Sequence, residues 1–352
     1  MRRIVRLRPY RHRPDAPPAP VPNLVIARRV LTRIAAAARQ SLEDETGEAL
    51  IGMVAAGAAG VPTIYALDTI SPDDSALRLY HTFQQGDARQ DELIWWLQEN
   101  WRAARPTLTP ADARFDVPLR YLGDWHKQPG AMIAPSGGDL GTALDWLDDD
   151  SNGADWLLAP IVTLIDAAHA VATAPGSAHL TIPGVGATAL RVDFWYIDSA
   201  RRDFVPIAPV TYPDEQLPTL ARYPWHLIDA DRFDAEMRRI EDAGYFVSVT
   251  LWDADGAAPL EVCLLAARVG SDTLTIVVTP HDYPVHPPTV RVAPIVPMGT
   301  EDDLYRVFAG AWAQSQPTAL AWTADGGLVG MIRAADSVTV ARDYIQTDED
   351  GS

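Results

Sequence analysis

Hydrophobic positions along the chain change their spacing several times, and each change predicts an element. Ile26, Val30, Ile34 and Ala37 or Ala38 recur at helical intervals, with Asn23 ahead of them as a cap, which predicts a helix over 23–40. Leu50–Val54 and Thr63–Leu67 are apolar runs of strand length. Ala49–Leu67 holds no charge, but Gly52, Gly57, Gly60 and Pro62 punctuate it. Two strands joined by a glycine-rich turn fit it better than a membrane span. "SPDDSALRLYHTF" is a turn leading into mixed structure. A second amphipathic helix is expected over 89–104, a strand over Val117–Trp125, and a helix near Asp139 that Asp148–Asp150 end. Strands follow at 156–165, 179–184, 187–198 and 203–210.

Thr211–Ile228, with Pro213, Pro218 and Pro224, is expected to link two domains. Beyond it, Phe233, Met237 and Ile240 share one side of a helix that Gly244 stops. Strand-like runs follow at 245–253, 259–269 and 272–280, then the proline-dense "HDYPVHPPTVRV" and a helix over 301–314. The expected fold class is α+β in two domains. No internal repeat is found.

Charge and cysteine content narrow the function. The net charge is −18, while six arginines in the first twenty residues oppose only Asp15. The Arg/Pro-rich start, 1–20, is expected to be a disordered tail, and 347–352 an acidic one. A body this acidic repels phosphates, so a nucleic-acid partner is not expected. Cys263 is the one cysteine, which excludes a disulfide framework and a cysteine-rich zinc site and fits a reducing cytoplasm. No apolar core follows the leading arginines, so they are not read as a secretory signal.

The chemistry is concentrated in "GDWHKQPGAMIAPSGGD", 123–139, preceded by "ETGEALIG", 45–52. Taken singly, Glu45 is a surface charge, Ser136 and Asp139 a helix start, and His126 a packed histidine. Together they supply the parts of a metal hydrolase. These are a nitrogen and an oxygen ligand with room for water, a carboxylate to take a proton, and a hydroxyl for an oxyanion.

In order and spacing the set resembles the JAMM (JAB/MPN) metallopeptidases, which cleave isopeptide or peptide bonds after ubiquitin-like proteins. The resemblance covers 21–210 and implies a cytidine-deaminase-like α/β sandwich. It implies that Glu45 is the general base, with Gly52 seven residues on. It implies that His126 and Asp139 are Zn²⁺ ligands and Ser136 the oxyanion donor. Gln128 stands where the family has a second histidine. An amide oxygen is a harder and weaker ligand than imidazole. Three outcomes stay open: Gln128 ligates through its oxygen, it holds a second water at the vacant position, or the site is empty and the domain only binds. His81 is a candidate replacement ligand.

Residues 229–346 resemble the ubiquitin-conjugating-enzyme (UBC) fold or the related RWD domain. A helix and a strand meander lead to Tyr283, Pro284, Pro287, Pro288 and Val290, similar to the family's Tyr-Pro-x-x-Pro-Pro-x-Val segment. No cysteine and no asparagine follow Pro288, so the thioester chemistry of that family is not expected. Tyr283, Pro284, Pro287 and Pro288 are candidates for partner contact.

Both resemblances point to a cytoplasmic, zinc-dependent peptidase that processes or removes a ubiquitin-like protein in a bacterial modification system. Its partners would be that protein and its activating or conjugating enzymes. The alternative is a non-catalytic scaffold for the same machinery.

Overall fold

The computed structural model describes residues 20–57, 60–72, 76–80, 82–84, 88–184, 187–254, 256, 259–295, 304–323 and 325–349. The expected tail up to residue 19, His81 and residues 350–352 lie outside these. The fold is mixed α+β, and the chain divides into two compact units, Met1–Leu220 and Ala221–Ser352. The division falls inside the proline-rich stretch. None of the described helices is long and apolar enough to cross a membrane.

In chain order the first unit runs β1 (Asn23–Ala27), α1 (Arg28–Gln40), β2 (Thr46–Ala55), β3 (Thr63–Ile70), β4 (Leu77–Leu79), β5 (Thr82–Gln84) and α2 (Ala88–Ala104). It continues with β6 (Arg120–Lys127), α3 (Gly137–Asp148), β7 (Trp156–Leu158), β8 (Ile161–Asp166), β9 (His179–Ile182) and β10 (Thr188–Asp193). β11 (Trp195–Asp198), β12 (Val205–Pro206) and β13 (Pro209–Tyr212) complete it. Among the described residues, eleven strands form one sheet. Its main path is β12-β11-β7-β6-β2-β3-β1-β13, with β8 joining β6 to β10, and β9 beyond β10.

The helix expected from Asn23 starts later. Residues 23–27 form β1, in parallel between β3 and β13, and the cap position is Ala27. Leu24, Val25, Ile26 and Ala27 are all buried. A strand covered on both faces needs an apolar residue at every position, and four in a row satisfy that as readily as the first turn of a helix. β2 is of the same kind, with Glu48 its one charged residue and nearly every position buried.

β6 carries the start of the candidate site and is held from both sides. β2 pairs with it antiparallel, Gly47 opposite His126 and Thr46 opposite Lys127. β7 and β8 pair with it in parallel on the other flank. The register with β2 slips at Leu50/Ile51, and there Gly123 takes φ +124°. A Cβ on Gly123 would stand 2.0 Å from the Leu158 carbonyl oxygen. Only glycine allows both that conformation and that approach.

The second unit has α4 (Trp225–Ile228), α5 (Ala230–Asp242), β14 (Phe246–Trp252), β15 (Glu261–Ala267), β16 (Thr273–Thr279), β17 (Thr289–Pro294), α6 (Leu304–Gln314), β18 (Gln316–Thr318) and α7 (Gly327–Glu349). The five strands form an antiparallel sheet in chain order. Strand alternation sends Leu264 and Val277 into a core with Ile240, Leu328 and Ile332 of α5 and α7. Cys263, Ile276 and Val278 go to the other face, against Phe308 and Ala311 of α6. α7 was not anticipated from sequence. Its first turn is held by buried Glu236, which accepts hydrogen bonds from Leu328 N (3.1 Å) and Tyr283 OH (2.9 Å).

Candidate functional site

His126 and Gln128 lie two residues apart at the end of β6, so their side chains share a face. Their backbone is pinned by the neighbouring edge: His126 N donates to Pro160 O (3.1 Å) and Gln128 N to Val162 O (3.0 Å). The third member comes from α3. Ser136 caps that helix by accepting from Asp139 N (3.2 Å), and Asp139 Oδ2 accepts from Ser136 N (2.6 Å), a reciprocal capping box. α3 is fastened to the sheet by Ala143 and Leu147, packed with Leu157, Ile197 and Tyr121. The loop between Gln128 and Ser136 is tied down where Trp195 Nε1 donates to Ile133 O (3.0 Å).

These elements bring His126, Gln128, Ser136 and Asp139 together. His126 Nε2 stands 3.5 Å from Asp139 Oδ1. Gln128 Nε2 is 3.1 Å from His126 Nε2 and donates to Asp139 Oδ2 at 3.1 Å. Burial lowers the pKa of His126, against the opposing pull of Asp139, which favours a neutral ring able to accept from the amide.

Gln128 is only 4% exposed, and its Oε1 is buried without a hydrogen-bond partner. Which amide atom faces the pair follows from charge. The Asp139 carboxylate accepts only, so Nε2 turns toward it and Oε1 is left without a partner. Exchanging the two atoms would set an oxygen beside His126 and Asp139, where only a cation makes it favourable. Three ligands about 2.1 Å from a tetrahedral metal stand about 3.4 Å from one another. The contacts of 3.1–3.5 Å are of that size but run to two different oxygens of Asp139, so it is the donor types, an imidazole, a carboxylate and a turned amide, that fit a divalent metal. Among the described residues no three His, Cys, Asp or Glu side chains gather as a metal cluster; here His126 and Asp139 meet and the third member is an amide.

Glu45 lies just before β2, its N–H donating to Leu79 O (3.0 Å). The β2–β6 ladder ends at the pair Thr46–Lys127, so Glu45 stands one residue beyond that end, as Gln128 does on the other strand. The segment is anchored by Lys127, a fully buried lysine (1% exposed) whose Nζ donates to Leu42 O (3.1 Å). Burial lowers the Lys127 pKa, and Asp44 and then Glu45 counteract it. Beside Gln128 and Lys127 opens a groove of ≈ 310 Å³, bordered also by Leu42, Tyr80, Pro129 and Leu164.

Sequence reasoning missed Lys127, Trp195 and Glu48. Glu48 Oε2 accepts from Thr69 Oγ1 (2.8 Å), which in turn accepts from Trp125 Nε1 (2.9 Å), and Ser71 Oγ donates to Glu48 Oε1. Trp125 and Glu48 pair across β2 and β6, on the face opposite His126. The available signal was a lone carboxylate inside an apolar strand. For Trp195 there was none.

In the second unit Tyr283 and Pro288 are buried, Pro284 is half-buried and Pro287 exposed. Cys263 is fully buried, and burial, with the nearby Glu261 charge adding to it, pushes its thiol up to about 12.

No protein-family model matches the chain, and no curated protein matches it. Among solved structures, the solution structure of protein DSY2949 from Desulfitobacterium hafniense matches with a TM-score of 0.33 and 12% identity, over 54% of this chain and 93% of that one. A likeness at that level leaves the site to be read from its own geometry.

Proposed function

We propose that the chain is a metal-dependent peptidase or isopeptidase acting on a ubiquitin-like protein, built as a JAMM-like domain followed by a UBC/RWD-like domain without a catalytic cysteine. The observation that carries the reading is the triangle of His126, Gln128 and Asp139, with Ser136 bonded into it. His126 Nε2, Asp139 and the Gln128 amide oxygen would hold zinc. When bound, zinc lowers the pKa of water and polarises a carbonyl. Glu45, just beyond the end of the same ladder, would receive the proton of the attacking water. Ser136 Oγ already accepts from Asp139 N, which leaves its hydroxyl hydrogen for the substrate oxyanion. In this reading the protein works in a bacterial cytoplasm, with a ubiquitin-like protein and its conjugating enzymes as partners.

The test combines metal analysis with cleavage of a ubiquitin-like fusion. Zinc at about one per chain, turnover in wild type, loss of turnover in Glu45→Gln, and retained or raised turnover in Gln128→His are expected. A chain that takes up no zinc from zinc-containing buffer, with no turnover in wild type or in Gln128→His, sinks the peptidase reading.

One observation favours a second reading, the non-catalytic scaffold. Gln128 Nε2 already serves both His126 and Asp139, so a neutral amide does the pairing that a cation would do. A metal-free wild type that still captures a ubiquitin-like protein is the result expected of it.

A further inference from the structure

The free edge of the second unit's sheet has the composition of a pairing surface. β14 reads Phe-Val-Ser-Val-Thr-Leu-Trp and carries no charge and no proline. Among the described residues its only strand partner is β15. Phe246 is 69% exposed and Val249 42%. Sheet edges are ordinarily guarded by lysine, proline, bulges or short length, because unpaired N–H and C=O groups accept another strand. This edge is seven residues long and has none of those guards in its sequence.

We propose that β14 pairs with β14 of a second copy of the chain, antiparallel about a two-fold axis at Val249, so that two five-stranded sheets become one. The strand is complementary to itself in that register. Full overlap sets Val249 against Val249, Val247 against Leu251, and Phe246 against Trp252, each of the last two pairs occurring twice. On the α6 face, the exposed Phe246 ring gains the Trp252 indole of the second copy. That indole lies edge-on to Phe308, ring centroids 4.8 Å apart. Cross-strand aromatic pairs of this kind are among the more stabilising contacts in sheets.

No residue of β14 is charged, so no like charges face each other along the ladder. Isologous contact of one patch with itself is also the geometry that closes a dimer, leaving only the three-residue, proline-containing β18 at each outer edge.

The experiment uses the full chain. Sedimentation equilibrium is expected to give twice the chain mass, and Val249→Lys, which sets two ammonium groups on the axis, is expected to give the monomer mass with an unchanged far-UV spectrum. A second measurement does not depend on that variant folding. Residues directly opposite in an antiparallel pair have Cα atoms about 4.5–5.5 Å apart, within disulfide reach. Val249→Cys should therefore form a covalent dimer on mild oxidation, while buried Cys263 stays inert. Phe246→Cys should not, because its counterpart would lie roughly 20 Å away. A monomeric wild type, no covalent dimer from Val249→Cys, or equal cross-linking of both cysteine variants overturns the proposal.

Discussion

Gln128 shows how one side chain governs the candidate site. Its amide is locked between a neutral histidine and a carboxylate, and charge alone decides which of its two ends faces them. Glu48, on the opposite face of the same strand pair, is governed by burial. Its carboxyl is raised above 4.5 because desolvation outweighs the hydrogen bonds from Ser71 and Thr69. The folded chain therefore favours the protonated form. Its contribution to stability is complete below about pH 4.5 and is lost as pH rises through the folded value. Relative to wild type, Glu48→Gln is expected to gain in melting temperature as pH is raised from acid to neutral. Thermal melts across that range check it, and a difference independent of pH would count against the assignment.

At the scale of the element, the site depends on how β6 is held rather than on local propensity. Gly123 allows β6 to bend past the Leu158 carbonyl, and the three residues from Trp125 to Lys127 then emerge with His126 facing α3 and Lys127 facing the 42–45 segment. Gly123→Ala combines a strained φ with a backbone collision. It is expected to cost roughly 2–4 kcal/mol of stability, measurable by urea denaturation. This element was partly legible in the chain. A strand ending near the histidine was expected from the apolar run, and the serine and aspartate of α3 mark a helix start by composition alone. What was not legible is β1, because a four-residue apolar run satisfies helix and strand equally until the flanking strands are known. α7 was equally hidden. Its inward residues Leu328, Ile332 and Ala335 are identified by what α5 and the sheet offer them, not by a cap in the sequence.

At the scale of the molecule, each unit has its own sheet and core. Leu264, Val277, Ile240 and Ile332 of the second unit pack among themselves, so residues 221–352 expressed alone are expected to unfold in one cooperative transition. Circular dichroism over a thermal ramp checks this; a non-cooperative melt would show that the core is incomplete. Read alone, the sequence determined the α+β character, the proline-dense stretch in which the units divide, and the spacing of His126, Gln128, Ser136 and Asp139. Those follow from periodicity, backbone restriction and local capping, which act within a few residues. Tertiary structure alone decided that His126, Gln128 and Asp139 meet with Ser136 bonded to Asp139, that the Gln128 oxygen is buried without a partner, that Lys127 is buried beside the 42–45 segment, and that β14 is an edge. Those depend on which distant strands lie side by side, and pairing between strands far apart in sequence leaves no mark in either strand by itself.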